Sequence, residues 1–257
     1  MITFVYSPQW FYGIDIVIDL VSMLVLFLIA FFGIRYFLLD RNNKNYLFLA
    51  TSFLMLSAAF FFKILTNFTI YYNVLETRHF GLFSLTYQTL ESSDLLFTIG
   101  SYLFRLSTFF GLLLILNITK KQPLSSNIII SVLFLVLSYY AQNLFHLFHA
   151  ICFFLLFFIT LNYIQKYKET KHKTTLMISY SFAMITLSSL IFYFMIYGKI
   201  FYAIAEIIQL SGYILFLITF ITILRCGKDC DYSKKEFSNG NYEKNGNEKH
   251  GKKKDKT

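Results

Sequence analysis

Long apolar runs, each closed by a short polar break, constrain this chain more than any motif does. A bilayer core about 30 Å thick takes roughly 20 apolar residues in a helix. Seven such runs lie at about 14–38, 46–68, 94–118, 127–142, 144–165, 174–197 and 199–224. Only 14% of residues are charged and 56% are hydrophobic, whereas about a quarter of a soluble domain is charged. That balance excludes a disordered chain, a disulfide-stapled secreted module and an ordinary cytosolic enzyme. The sequence predicts an all-α integral membrane protein: residues 1–225 form a seven-transmembrane-helix bundle and 226–257 a disordered cytoplasmic tail.

Orientation follows from Lys and Arg, which are retained on the cytoplasmic side. One set of connections carries Arg41 and Lys44, Lys120 and Lys121, then Lys166, Lys168, Lys171 and Lys173, and finally the tail; the opposite set carries Arg78 and Lys199. This places the N-terminus outside and the C-terminus in the cytoplasm, in a cell membrane, as an odd number of spans requires. Met1 to Trp10 lack the basic region of a cleavable signal peptide, so the first run is read as a retained span. The tail holds nine lysines and six acids among its thirty-two residues. It has too few aliphatic residues to bury a core, and its chemistry suits contact with anionic lipid headgroups. The interleaved acids and the lack of a stacking platform argue against nucleic acid.

Ionisable groups inside apolar helices cost about 2.5 to 3.5 kcal/mol each, so they face a partner or a wet cavity. Asp15 and Asp19 share a face near the outer end of the first helix. Lys63 lies in the outer half of the second, Glu206 in the outer half of the seventh. Arg105 sits roughly 16 Å down the third, at 1.5 Å per residue. Asp94, Thr98, Ser101, Arg105 and Thr108 make a polar stripe along that third helix, and Tyr202, Glu206, Gln209 and Tyr213 a shorter one on the seventh, where Gly212 permits close approach. The two acids Asp19 and Glu206 balance the two bases Lys63 and Arg105. Asp19, Lys63, Asp94, Arg105, Glu206 and Gln209 are therefore the expected ligand-binding set or charge network, around a cavity open to the outside. A network that only locks the bundle fits the same residues.

No catalytic set emerges, and no cofactor is expected. Intramembrane metallohydrolases carry His-x3-His and further histidines, whereas this chain offers the single pair His146 and His149 at spacing three, a weak metal candidate. The seventh run lacks a central lysine for retinal. Cys226 and Cys230 lack the second pair a closed zinc site needs, and Asn67-Phe68-Thr69 lies too near the bilayer for a glycan.

Arg35-Tyr36 before a short inner loop, Asn45-Tyr46-Leu47-Phe48-Leu49-Ala50 opening the second helix, and the stretch Glu206 to Tyr213 are the features on which residues 10–224 resemble the seven-helix sensory modules of prokaryotic membranes. The resemblance implies an external ligand and a cytoplasmic output. In those modules a kinase or cyclase domain follows the last helix; here the lysine-rich tail does, so output would pass through a separate signalling partner. Two other functions fit the residues: a small-solute or ion transporter in which Arg105 and the acids alternate partners, and a structural or assembly subunit of a membrane complex.

Overall fold

The computed structural model describes residues 7–11, 13–39, 41, 44–76, 90–120, 123–140 and 145–223, with 9, 69–76, 90–96, 124 and 145 described in backbone only. The tail with Cys226 and Cys230, together with Arg78, Lys121, Gln142 and Asn143, lies outside the described residues. The chain divides into two compact units, Met1–Leu217 and Ile218–Thr257. In the second, Thr222 Oγ1 donates to the Ile218 carbonyl at 2.8 Å.

Lipid offers no partner for backbone N–H and C=O groups, so long apolar segments satisfy them internally as helices. Among the described residues these are α1 (Ile14–Leu39), α2 (Lys44–Glu76), α3 (Leu90–Thr119), α4 (Leu124–Tyr140), α5 (Phe145–Thr170), α6 (Lys173–Tyr193) and α7 (Ile200–Ile223), and no strand occurs. Single 3-10 turns cover Gln9–Phe11 and Phe194–Tyr197. Gly198 and Lys199 then separate the second of these from α7.

Six helices, all but α4, are long and apolar enough to cross a membrane, with mean hydropathy between 1.7 and 2.7. The fourth expected span, 127–142, forms a helix over Leu124–Tyr140 that is shorter than the other six. Pro123 immediately precedes α4, and its carbonyl accepts the first helical bond from Asn127 N at 3.2 Å. The helix is 17 residues long and so reaches only about 26 Å at 1.5 Å per residue. Elsewhere helices outrun the apolar segments. α5 runs through Lys166 and Lys168 to Thr170, since Lys, Glu and Gln are good helix formers in water, and α2 continues to Glu76.

Burial along α1 explains how the helices turn. Asp15, Ile18, Asp19, Ser22, Val25, Leu26, Ile29, Ala30 and Gly33 are buried, at the three-and-four spacing of one face. Val17, Leu20, Leu24, Phe27, Leu28 and Phe31 are exposed on the other. The outward face is thus the greasier one, the reverse of a soluble helix and the arrangement expected where lipid is the solvent. Buried hydroxyls stay off the books of the core by bonding to their own helix. Thr108 Oγ1 donates to the Phe104 carbonyl at 2.8 Å, Ser138 Oγ to Phe134 at 2.7 Å, and Thr186 Oγ1 to Phe182 at 2.7 Å.

Within the first unit α2 packs along α1 and α3, α5 along α6, and α3 reaches α4 and α5. Ser57 Oγ donates to the Met23 carbonyl across α1 and α2 at 3.0 Å, and Ser188 Oγ to the Ala205 carbonyl across α6 and α7 at 2.9 Å. Glycines allow close approaches between helices. A Cβ at Gly111 of α3 would lie 2.8 Å from Leu56 Cγ on α2, and one at Gly212 of α7 would lie 2.7 Å from Ile185 Cγ1 and 3.3 Å from the Ser181 carbonyl oxygen on α6. Small residues at such crossings let backbones meet where lipid supplies no hydrophobic drive.

Overpacking a tight contact costs about 1–3 kcal/mol. Gly212→Val should therefore lower the unfolding temperature in detergent, followed by circular dichroism, while Ser211→Val at the neighbouring exposed position should leave it unchanged. Equal melting of the two variants would contradict the α6–α7 contact.

Candidate functional site

Three helices bring three of the expected charged residues into direct contact. Lys63 Nζ lies 2.7 Å from Asp19 Oδ1 and 2.5 Å from Glu206 Oε1. Each residue is inward for a local reason. Asp19 belongs to the buried stripe of α1. Lys63 follows Ala59 and Phe60, and Glu206 follows Tyr202, Ala203 and Ala205, all buried, on the faces where α2 and α7 turn from lipid. The side chains of Asp19 and Glu206 are 0% and 1% exposed and that of Lys63 14%. An ammonium has three donors; two go to the carboxylates. The rings of Phe60 and Tyr202 lie 5.5 and 5.9 Å from Nζ, within the range of a cation–π contact. Asn67, one turn beyond Lys63, donates Nδ2 to the second oxygen of Asp19 at 3.3 Å.

Beside this triad lies a cavity of about 150 Å³. Phe53, Phe60, Phe104, Phe148, Phe182, Phe192 and Phe216 make much of its wall, and Lys63, Arg105, Ser101, Thr108, His149 and Gln209 supply polar groups. Asp15 also reaches it. Its Oδ1 accepts from Gly13 N at 3.0 Å and Ile16 N at 2.9 Å, at the start of α1, where the helix dipole favours a negative charge. Gly13 adopts a φ of 87° at that start, a left-handed conformation that glycine takes at little cost.

Two of the remaining expected residues, Arg105 and Gln209, line the cavity. Arg105 is buried and on the cavity wall. Gln209 is on the wall too, and donates Nε2 to Tyr213 Oη at 3.1 Å. Ser101 and Thr108 bring the α3 stripe to the same wall, while Asp94 sits in the early turns of α3 with its side chain outside the described residues. The two histidines part company: His149 stacks on Phe192 with ring centroids 4.6 Å apart and faces the cavity, whereas His146 meets the edge of Tyr193 at 6.5 Å. Among the described residues no three His, Cys, Asp or Glu side chains gather closely enough to hold a metal ion.

Sequence reasoning missed Asn67 as a partner of Asp19. Its position four residues after Lys63 on the same helical face was the available signal. The aromatic wall was also unforeseen, because 32 phenylalanines spread over every span leave no pattern to pick out the ones that meet.

Comparison with family models, with curated proteins and with solved structures gives no match, so a functional reading rests on this geometry.

Removing one partner of a buried ion pair costs about 3–5 kcal/mol, because the other charge is left unpaired. Lys63→Met leaves two buried carboxylates facing each other and should lower the unfolding temperature sharply. Glu206→Gln keeps the Lys63–Asp19 pair and should be milder. The triple variant Asp19→Asn, Lys63→Met, Glu206→Gln should recover most of the loss, and additive losses in thermal unfolding would disprove the coupling.

Proposed function

We propose that this protein is a receptor-like sensor that binds a small ligand in the interhelical cavity and passes a helix shift to a cytoplasmic partner. In this reading all seven helices span a cell membrane, α4 doing so where the bilayer thins around its short apolar length. The N-terminus is outside, the cavity opens to that side, and residues 226–257 form a disordered cytoplasmic tail that touches anionic headgroups. The observation that carries the reading is the origin of the cavity wall. Phe53 and Lys63 come from α2, Arg105 from α3, His149 from α5, Ser189 from α6 and Gln209 from α7. An occupant touching five helices biases how all five pack, which is what a ligand-driven helix shift requires.

A transporter is the second reading, and the triad favours it. Lys63 holds acids from α1 and α7 at nearly equal distance, so a lysine that releases one and keeps the other would be a ready access switch. The triad acting only as a lock in an assembly subunit needs no cavity at all.

Small molecules that copurify with the wild-type protein and are lost when Ser101→Phe fills the cavity, detected by mass spectrometry, are the expected result for a sensor. Flux of such a molecule into proteoliposomes, abolished by Arg105→Ala, would instead establish the transporter. For the orientation, in a Cys226→Ser, Cys230→Ser background, Trp10→Cys should react with an impermeant maleimide in intact cells and Lys173→Cys only after permeabilisation. The opposite pattern would invert the topology.

A further inference from the structure

We infer that the cavity takes an uncharged, compact ligand of about one ring's size, apolar over most of its surface and carrying a hydrogen-bonding group. This deepens the sensor reading and rests on the cavity being a ligand site. Size comes first. At about 150 Å³ the space matches a cavity that accepts benzene when lined by apolar side chains, and it is too small for a lipid headgroup with its chain. The wall comes second. Phe104, Phe148 and Phe192 present ring faces and edges, with Phe148 centred 5.3 Å from Phe104 and 5.0 Å from His149. A further ring inserted among them finds the offset and edge-on geometries that aromatic groups favour.

Charge closes the argument. The charged groups at the site are already engaged by the protein: Lys63 is held by both Asp19 and Glu206, and the Asp15 carboxylate accepts from two backbone N–H groups at a helix N-terminus. A ligand bearing a net charge would have to displace one of these partners to find a counter-charge, and leaving a buried charge unpaired is heavily penalised. A neutral polar group carries no such penalty. Gln209 provides for it, since its amide has two donor hydrogens and an acceptor oxygen and gives one hydrogen to Tyr213.

Benzamide, benzoate and benzamidine are near-isosteric single rings that are neutral, anionic and cationic at neutral pH, and they separate the alternatives. Titrated into the full-length protein in nanodiscs, with thermal unfolding and calorimetry as readouts, benzamide should raise the unfolding temperature and bind about tenfold or more tightly than either charged ring. Its effect should vanish in Ser101→Phe and in Ser189→Leu, two independent fillings of the cavity. Benzoate or benzamidine binding as tightly as benzamide overturns the inference and leaves the ligand-site reading standing. Silence of all three overturns both. Benzamide binding that survives both fillings lies elsewhere and also overturns the inference, as does a phospholipid retained one per protein that none of the three displaces.

Discussion

A single ammonium shared by two carboxylates is the interaction on which the arrangement of this protein depends. In an apolar helix each of Asp19, Lys63 and Glu206 is unfavourable by itself, and each becomes tolerable only when the other two arrive. The partners are 44 and 143 residues apart in sequence from Lys63, so the triad ties the first and second helices to the last. Packing between apolar helices in lipid is weakly directional, because lipid tails are as apolar as Leu or Phe. A charge that has one acceptable position supplies the direction that packing lacks. The long lysine stem suits the role, reaching from α2 to acids on both sides while Phe60 and Tyr202 flank its tip.

Around that fixed point the rest of the unit divides its labour. Glycines set backbone spacing where α2 meets α3 and α6 meets α7. Hydroxyls that bond back to their own helices remove polar cost without adding cross-links, apart from exchanges such as Thr160 with Thr186 at 3.1 Å between α5 and α6. Large aromatics then fill the wider gaps. Phe109 bridges α3, α4 and α5 by stacking on Phe134 at 4.8 Å and tilting against Phe148 at 5.3 Å. These ring contacts tie α4 to α3 and α5.

Much of the helical framework was legible in the sequence, because apolar length is the quantity that lipid itself reads. The span expected at 14–38 differs from α1 by one residue at its C-terminal end, and that expected at 199–224 differs from α7 by one residue at each end. The fourth helix begins three residues before the expected start, because Pro123 fixes where it opens and hydropathy does not register that. In the site, depth along each helix sufficed to gather Asp19, Lys63 and Glu206, for charges at equal depth in a helical array have few ways to avoid one another. Depth did not rank the pairs. Arg105, from α3, joins the same cavity wall. Asn67 escaped because an uncharged amide near a helix end carries no penalty conspicuous enough to demand a partner.

The cavity is the feature that packing alone does not account for. Ser101 and Ser189 are small residues on its wall, and a larger side chain at either would occupy the space. A molecule that fills the space gains contacts with helices that also pack against one another. Binding and helix packing therefore draw on one free-energy difference. In the proposed sensor, the wall that would select a ligand is also the set of helices whose positions that ligand would change.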